Sequence, residues 1–289
     1  MISIIIPAHN EAAVIGRCLS SLLDGSQPGE LELIIVCNGC TDNTAAIARG
    51  FGEAVRVIET DIPSKVNALN LGDRAASHFP RLYVDADVGL TLDSVRRIVS
   101  ELENGGFLAA APQIRLDLDG CSWAVRAFYE IDGRLPSHRE GIGGSGVYAM
   151  SAEGRARFGE FPKVTADDAF VRRHFRPEER ITVPGTWSCV KPPKALRGLI
   201  KIKTRSHLGN YEIEERYPHL TANRGTSNRP ALLALALKPW FWPCLAVYGY
   251  VKAMARLRAI WQLRVMGGAK WERDETSRQP VSASERIGA

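Results

Sequence analysis

Two aspartates one residue apart, Asp85 and Asp87, are the residues whose types and spacing could most directly do chemistry in this chain. They follow the short apolar run Leu82–Val84, which is typical of a buried strand. Acids at the carboxyl end of such a strand point into the crevice where open α/β sheets bind ligands. Two hard oxygen ligands there suit Mg²⁺ or Mn²⁺ held jointly with substrate phosphates. An Asp-x-Asp sequence also caps helices, so the pair alone leaves both interpretations open.

Polar residues also follow the neighbouring predicted strands. Strands alternate with helices in steps of about 25–30 residues, which predicts an α/β fold with a mostly parallel sheet and flanking helices. Because the strand ends of such a sheet share one crevice, residues at four junctions are expected to meet there. These are Pro7-Ala8-His9-Asn10-Glu11, Asn38-Gly39-Cys40-Thr41-Asp42, Lys65 and Asp85-Ala86-Asp87. Amides, a lysine, helix N-termini and an acid pair together suit a nucleotide diphosphate. None of these four junctions has a GxGxxG or a Walker lysine loop.

Hydrophobic periodicity predicts the elements that hold these junctions. Strands are expected at 2–6 (ended by Pro7), 31–36, 55–58, 81–84, 107–114 and 181–184. Helices are expected from Asn10-Glu11 onward and at 43–50, 65–76, 93–103, 122–133, 152–158 and 167–175. A glycine-rich segment, 141–146, leads into 147–150.

The 289 residues, 45% hydrophobic and 24% charged, are typical of a globular chain with a sizeable core. The charge is unevenly distributed: residues 1–190 hold 19 Lys/Arg against 25 Asp/Glu, whereas residues 191–273 hold 16 against 4. Such a basic block attracts nucleic acid, anionic lipid or substrate phosphates. Nucleic acid is disfavoured because no nucleic-acid-binding motif is recognisable. A solvated basic surface without a partner remains an alternative.

The six cysteines are scattered, and Cys37 and Cys40 form a CxxC without the second pair of a zinc ribbon. The N-terminus enters an apolar strand at once, without the basic region or cleavage site of a secretory signal. Reduced thiols and a cytoplasmic location are therefore expected.

The region 230–266 combines leucines and aromatic residues with basic residues. A spanning helix needs about 20 uninterrupted apolar residues, and Lys238, Pro239 and Pro243 interrupt this run. Aromatic residues flanked by basic ones favour helices lying in the headgroup region of an anionic membrane. The alternative is an ordinary C-terminal helix docked on the domain.

At this point the chain resembles the family 2 glycosyltransferases of the GT-A fold, over roughly residues 2–210. The segments that carry the resemblance are 4–11, 38–44, 65–70, 85–87 and 166–168. The remainder divides into a basic, aromatic helical segment, 211–273, and a polar tail, 274–289.

The resemblance implies a nucleotide-sugar donor and a Mg²⁺ or Mn²⁺ ion. The donor-binding residues it implies are Pro7, Ala8, Asn10, Glu11, Asn38, Lys65, Asp85 and Ala86. The metal ligands it implies are Asp85 and Asp87, with His207 as a further one. Cys37-Asn38 replaces the acidic pair of many members, so the nucleobase stays open; an Asn still reads uracil or guanine.

The resemblance also implies inverting transfer, in which Asp168 takes the proton of the acceptor hydroxyl. Asp167 stands where the family has Glu, and both acids also suit a helix N-terminus. Gly144 and Ser145 are expected beside the acceptor, and Lys203 and Arg205 beside the diphosphate.

The chain lacks the Gln-x-x-Arg-Trp motif of processive members, which favours transfer of a single sugar. The expected acceptor is lipid-linked or a glycan, at the inner face of the cell membrane. Two alternatives remain: a sugar-nucleotide-binding protein without catalysis, and a nucleotidyltransferase. The second would need a Gly-rich triphosphate loop after the first strand, and 7–11 is not one.

Overall fold

A computed structural model describes residues 1–139, 142–223 and 225–266. The tail 274–289 and Gly141 of the glycine-rich segment lie outside the described residues. The strands are β1 (Ile2–Ala8), β2 (Leu31–Asn38), β3 (Val55–Thr60), β4 (Arg81–Val84), β5 (Gly89–Leu90), β6 (Ala109–Leu116), β7 (Val147–Met150) and β8 (Arg180–Val190). They form a mixed sheet in the order β3-β2-β1-β4-β7-β6-β8-β5.

The first half of this sheet is parallel, as the alternation of strands and helices predicts. β1 pairs in parallel with both β2 and β4, and β2 pairs in parallel with β3. β7 runs antiparallel to β4 and to β6, so it reverses the sheet directly beside the strand that precedes Asp85. The expected α/β architecture is therefore confirmed.

The first strand does not end at Pro7 as the sequence predicts. Pro7 pairs with Val36 and Ala8 with Cys37, so β1 and β2 stay in register to the edge of the sheet. On its other side, β1 pairs with β4 only as far as Ile5 opposite Tyr83. Pro7 therefore lies beyond the residues of β1 that pair with β4.

The helices flank the two faces of the sheet. They are α1 (Ile15–Leu23), α2 (Thr44–Arg49), α3 (Lys65–Ala75), α4 (Leu92–Asn104), α5 (Trp123–Asp132), α6 (Pro136–Arg139), α7 (Ala152–Arg155), α8 (Asp167–Arg173), α9 (Leu196–Arg216), α10 (Arg229–Ala236) and α11 (Trp242–Met266). Short 3₁₀ turns lie at Gly52–Ala54, Pro177–Glu179, Pro218–Asn223 and Pro239–Phe241.

The first helix starts at Ile15 and not at Asn10-Glu11. Asn10 has a φ of 53°, in the left-handed region that an Asn tolerates better than most residues. The backbone N–H of Glu11 donates to Thr44 Oγ1 at 2.8 Å. This hydrogen bond ties the segment before the first helix to the junction after β2.

Both faces of the sheet are covered. Ile4 and Ile6 of β1 point to the cluster that α1, α2 and α4 complete, while Ile5 points to the cluster that α3 and α8 complete. Burial on both faces explains why the first strand is an unbroken apolar run.

A third cluster joins the C-terminal helices to the domain. Val251 and Tyr248 of α11 pack with Phe128 of α5 and Leu199 of α9, and the Phe128 and Tyr248 rings stack at 5.1 Å. One side of α11 is therefore docked on the domain. The 21-residue helix α9, which periodicity did not reveal, runs across the expected division between residues 210 and 211.

Candidate active site at the carboxyl edge of the sheet

The junctions after β1 and β2 are interlocked by hydrogen bonds. Asn38 Nδ2 donates to Ala8 O at 2.8 Å, and the backbone N–H of Thr41 donates to Asn10 Oδ1 at 2.8 Å. Asn38 is only 3% exposed. Its amide therefore holds the two strand ends together, and these contacts give no support to the expectation that it reads a nucleobase.

Lys65 stands at the start of α3 and joins two acids from distant parts of the chain. Ser64 Oγ accepts from the backbone N–H of Asn67 and caps the helix, which sets Lys65 in its first turn. Lys65 Nζ lies 2.8 Å from Asp85 Oδ1 and 3.0 Å from Asp167 Oδ1. Burial alone would lower the pKa of Lys65, but the carboxylates of Asp167 and Asp85 outweigh it and raise that pKa.

Asp167 is a buried carboxylate held by two partners. It is 6% exposed, and Tyr148 Oη donates to its Oδ2 at 3.1 Å while Lys65 contacts its Oδ1. Burial raises the pKa of Asp167, and the neighbouring acids Asp168 and Asp85 raise it further against the opposing effect of Lys65. Asp167 therefore fixes the positions of Lys65 and Tyr148 from the buried side of the site.

Asp168, the next residue, is half-buried at the start of α8. Its Oδ1 accepts from the backbone N–H of Ala169 at 2.7 Å, and its Oδ2 accepts from the backbone N–H of Gly144 at 3.0 Å. The contact with Ala169 is the helix-start role that the sequence allowed. The contact with Gly144 brings the glycine-rich segment to this acid, as expected for the acceptor side.

Asp85 lies beside this segment. The backbone N–H of Asp85 donates to Gly146 O at 2.8 Å. Gly146 has a φ of +66°, and a Cβ there would lie 2.5 Å from Val88 Cγ2 and 3.3 Å from Asp85 Oδ2. A glycine is therefore required for the close approach of this turn to the acid pair.

The donor set at Asp85 and Asp87 fits a Mg²⁺ or Mn²⁺ ion shared with a substrate. Both acids are partly exposed at the strand end, and their carboxylate oxygens are the ligands that these ions prefer. Within residues 1–139, 142–223 and 225–266, no group of three His, Cys, Asp or Glu side chains could hold a metal.

Two stacked tyrosines, whose role the sequence does not reveal, lie next to the acids of the site. Tyr83 and Tyr148 stack with ring centroids 5.0 Å apart, and Tyr83 Oη donates to Asp73 Oδ1 at 2.5 Å. Asp73 also accepts from Arg81 at 2.8 Å and from Arg155 at 2.7 Å. Tyr83 lies in a predicted strand, but nothing in its spacing reveals its partner 65 positions later.

The remaining expected site residues lie in other surroundings. Ser145 is buried, and its Oγ donates to Val147 O at 2.7 Å within its own turn. Lys203 lies in the middle of α9, 3.7 Å from Asp132 of α5 and over the ring of Phe128. Arg205 belongs to the same helix. The expected basic segment over the diphosphate is therefore part of a long helix whose Lys203 is paired with α5.

His207 is not brought to Asp85 and Asp87. Its ring stacks on Tyr211 at 6.3 Å, on the side of α9 that faces α11. Burial, together with Lys252 and Arg256, lowers the pKa of His207 to about 4. Surrounding cations repel a metal ion, so these contacts do not support its expected role as a ligand.

Comparison with known proteins matches this chain to a family and to a fold. The model of the family described as "Glycosyl transferase family 2" matches residues 3–148. A curated relative, the 4,4'-diaponeurosporenoate glycosyltransferase of Staphylococcus aureus (strain MRSA252), is 33% identical over 110 residues. That match covers 36% of this chain and 29% of the relative, so it spans less than a third of the relative's length.

Solved structures share the fold over more of the chain. A mannosyltransferase from Pyrobaculum calidifontis in complex with GDP-Man and Mn²⁺ has a TM-score of 0.63 at 22% identity, covering 90% of this chain and 87% of that one. The glucosyl-3-phosphoglycerate synthase of Mycobacterium tuberculosis in complex with phosphoglyceric acid has a TM-score of 0.53 at 19% identity, covering 75% and 79%. At these identities the likeness is one of fold, and it confirms the expected GT-A architecture.

Proposed function

Because the chain belongs to glycosyl transferase family 2, we propose that it moves one sugar from a nucleotide-diphosphate sugar to an acceptor hydroxyl, with inversion at the anomeric carbon. The observation that carries the proposal is the contact of one lysine with two acids: Lys65 lies within 3.0 Å of both Asp85 and Asp167. Lys65 thus links one acid of the strand-end pair to one acid at the start of α8.

The donor diphosphate is proposed to lie beside Lys65. The ammonium of Lys65 has three donors, two of which its present partners can occupy, so a phosphate oxygen can share the group. The N-terminus of α3, in whose first turn Lys65 stands, adds backbone N–H groups that favour a negative charge.

A divalent cation is proposed to be held by Asp85 and Asp87. When bound, such an ion neutralises the negative charge that develops on the leaving diphosphate. Asp85 keeps one oxygen on Lys65 and has the other, Oδ2, turned toward the Gly146 turn. The proposed site therefore combines one acid tied to the donor-binding lysine with a second acid, Asp87, beside it.

Asp168 is proposed as the general base. Its neighbour Asp167 is buried and already neutralised by Lys65, so Asp167 is a positioning residue. Asp168 is half-buried and is held by the backbone N–H groups of Gly144 and Ala169. Held in this way, its carboxylate can take the proton of an acceptor hydroxyl bound against the glycine-rich turn while the oxygen attacks the anomeric carbon.

The C-terminal helices are proposed to lie on the cytoplasmic surface of the cell membrane and to meet a lipid-linked or glycan acceptor there. The side of α10 and α11 opposite the docked one, together with the turn between them, exposes Leu233, Leu237, Trp240, Trp242, Tyr250, Leu257, Trp261 and Val265. Lys238 and Arg264 belong to the same segment. Exposed apolar residues beside basic ones suit an anionic bilayer surface.

No single helix in the described ranges is long and apolar enough to cross a membrane. The two helices Arg229–Ala236 and Pro239–Val265, which meet at a bend of 109°, are together long and apolar enough by length and composition alone.

Activity is tested with a panel of nucleotide sugars and Mn²⁺, Mg²⁺ or EDTA, by thermal shift and by nucleotide release. Metal-dependent stabilisation by one donor together with release of its nucleoside diphosphate supports glycosyl transfer. Binding without release in the presence of lipid-phosphate and glycan acceptors favours a sugar-nucleotide-binding protein. Turnover of a nucleoside triphosphate with a sugar phosphate favours a nucleotidyltransferase instead.

Membrane contact is tested separately, by co-sedimentation with vesicles of anionic or zwitterionic lipid. Leu237→Ser with Trp240→Ser is expected to weaken binding to anionic vesicles by about tenfold or more, because two large apolar side chains no longer enter the bilayer. Trp187→Ser, which alters an exposed tryptophan of β8, is the matched control. Equal binding by all three proteins would exclude the proposed surface.

A further inference from the structure

A cluster of cationic side chains lies outside the carboxyl-edge site. Helices α8, α9 and α11 line an open cavity of about 350 Å³. It is lined by Arg172, Arg173, His207, Asn210, Tyr211, Glu214 and Arg256. Three arginines line it against one acid, and Arg173 Nη2 contacts that acid, Glu214, at 3.3 Å.

Two buried nitrogens of the cavity lack hydrogen-bond partners within the described part of the chain. They are Arg172 Nε and His207 Nε2. A buried polar atom without a partner is destabilising, and more so when the group is charged, so native proteins seldom leave one unmatched. A ligand with acceptor oxygens would remove this cost.

The electrostatics of the cavity favour an anion. Burial and the cations Lys252 and Arg256 lower the pKa of His207, so its ring is neutral at pH 7. Burial and the nearby Lys203 likewise lower the pKa of Lys252. His207 on α9 and Lys252 on α11 thus both face an excess of positive charge. The third cation, Lys203, already pairs with Asp132.

An apolar groove continues from this cavity along α11. It has a volume of about 380 Å³, and Tyr211 and Arg256 line both spaces. Ile260 and Leu263 supply the apolar lining of the groove, and Arg264 lies at its side. A cationic cavity that continues into an apolar groove matches a molecule with an anionic head and a hydrocarbon chain.

We infer that the cavity is a binding site for the phosphate group of a lipid-like phosphate ester whose hydrocarbon chain follows the apolar groove. Arg172 and Arg256 contact the phosphate oxygens, and neutral His207 donates a further hydrogen bond to them. Arginine suits this role because its planar guanidinium pairs with two oxygens at once.

The cavity and the proposed catalytic acids share a helix and a close helix contact. Helix α8 carries Asp168 in its first turn and Arg172 in its last, about 6 Å apart along the helix axis. At Gly209 of α9, a Cβ would lie 2.5 Å from the Cβ of Ala166, the residue before Asp167. The identification of this ligand as the sugar acceptor rests on the proposed function, whereas the binding site does not.

The test is a ³¹P NMR titration of the purified protein without nucleotide sugar. Hexyl phosphate is the probe, inorganic phosphate tests the head group alone, and hexanol, followed by ¹H NMR, tests the chain alone. Hexyl phosphate is expected to bind about tenfold or more tightly than either, because only it fills both spaces. Equal affinity for inorganic and hexyl phosphate would overturn the role of the groove.

Variants separate the two parts of the site. Arg172→Gln and Arg256→Gln are each expected to raise the Kd for hexyl phosphate and for inorganic phosphate about tenfold. Leu263→Ser is expected to weaken hexyl phosphate binding severalfold and leave inorganic phosphate unchanged. Arg197→Gln, an exposed arginine of α9 outside the cavity, is the matched control.

Circular dichroism and the thermal midpoint of each variant establish that it is folded before it is titrated. The absence of saturable binding by the wild-type protein would overturn the inference, as would equal losses in Arg172→Gln and Arg197→Gln. Because no sugar donor is present, these results do not depend on whether glycosyl transfer occurs.

Discussion

Lys65 Nζ lies 2.8 Å from Asp85 Oδ1, at the junction of the strand-end acids with the rest of the site. Through its second contact, 3.0 Å to Asp167 Oδ1, the lysine links residues that are 82 positions apart in the chain. Asp167 is buried, so its charge depends on this cation. The contact therefore serves stability as well as the proposed binding of a diphosphate.

Replacing Lys65 by Met is expected to lower the free energy of unfolding by about 2 kcal/mol at pH 7, because the buried carboxylate of Asp167 loses its cation. Lys65 opposes the burial that raises the pKa of Asp167, so its removal raises that pKa further. The loss is expected to shrink as the pH falls and Asp167 takes up a proton. Urea unfolding at several pH values measures this.

The matched control for Lys65 is Arg49→Met. Arg49 pairs with Glu59, but both side chains are more than half exposed, so the change is expected to cost much less stability than Lys65→Met. Equal stability of Lys65→Met and the wild type across the pH range would contradict the structural role of Lys65.

The Asp73 network predicts an acid-sensitive contribution to stability. Burial alone would raise the pKa of Asp73, but hydrogen bonds from Arg155 and Tyr83 lower it below its ordinary value of 3.8. The contribution is therefore fully present above that value and is lost as the pH falls through the lowered pKa. Asp73→Asn is expected to cost about 3 kcal/mol at pH 7 and progressively less below about pH 4.

Asp93→Asn is the control for Asp73, since Asp93 forms an exposed pair with Arg97 on α4. It is expected to change the free energy of unfolding by less than about 0.5 kcal/mol at any pH. A difference between Asp73→Asn and the wild type that does not vary with pH would contradict the account of this network.

Gly146 is expected to be needed for the shape of the site as well as for its backbone angle. In Gly146→Ala the new Cβ would meet Val88 Cγ2 at 2.5 Å and crowd Asp85, so both stability and metal-dependent donor binding should fall. Gly52→Ala is the control, because Gly52 has a similar φ of +68° but no atom within 4 Å of the added Cβ. It is expected to cost about 1–2 kcal/mol and to leave donor binding intact.

His207 and Asp87 are expected to respond differently to Mn²⁺. His207→Gln should leave the Mn²⁺ concentration for half-maximal activity unchanged, because its ring faces the cationic side of α11. Asp87→Asn should raise that concentration about tenfold or more, because it removes a charged ligand. A large increase in His207→Gln would restore the role that the sequence predicts.

Part of the carboxyl-edge site was predictable because several of its residues follow predicted parallel strands. Parallel strands bring their carboxyl ends together, so Lys65, Asp85 and the junctions after β1 and β2 were expected to meet, and the structure brings Lys65 into contact with Asp85. Asp168 was linked to them by resemblance, and its contact with Gly144 lies within the expected glycine-rich segment.

Other features were not predictable from local patterns. The pairing of β7 beside β4 is antiparallel, and the stack of Tyr83 on Tyr148 depends on that pairing, which no periodicity reveals. Helix α9 carries basic and polar residues on much of its surface, so its apolar spacing is weak. The resemblance placed His207 with the acids, whereas it lies on the face of α9 toward α11.

The most direct test of the account is to measure donor binding and turnover together in wild type, Asp168→Asn and Asp167→Asn, with the donor and metal identified in the screen. The account predicts that Asp168→Asn binds the nucleotide sugar like wild type but transfers sugar about 100-fold or more slowly, whereas Asp167→Asn loses stability and donor binding as well. Wild-type turnover by Asp168→Asn would contradict the assignment of Asp168 as the base.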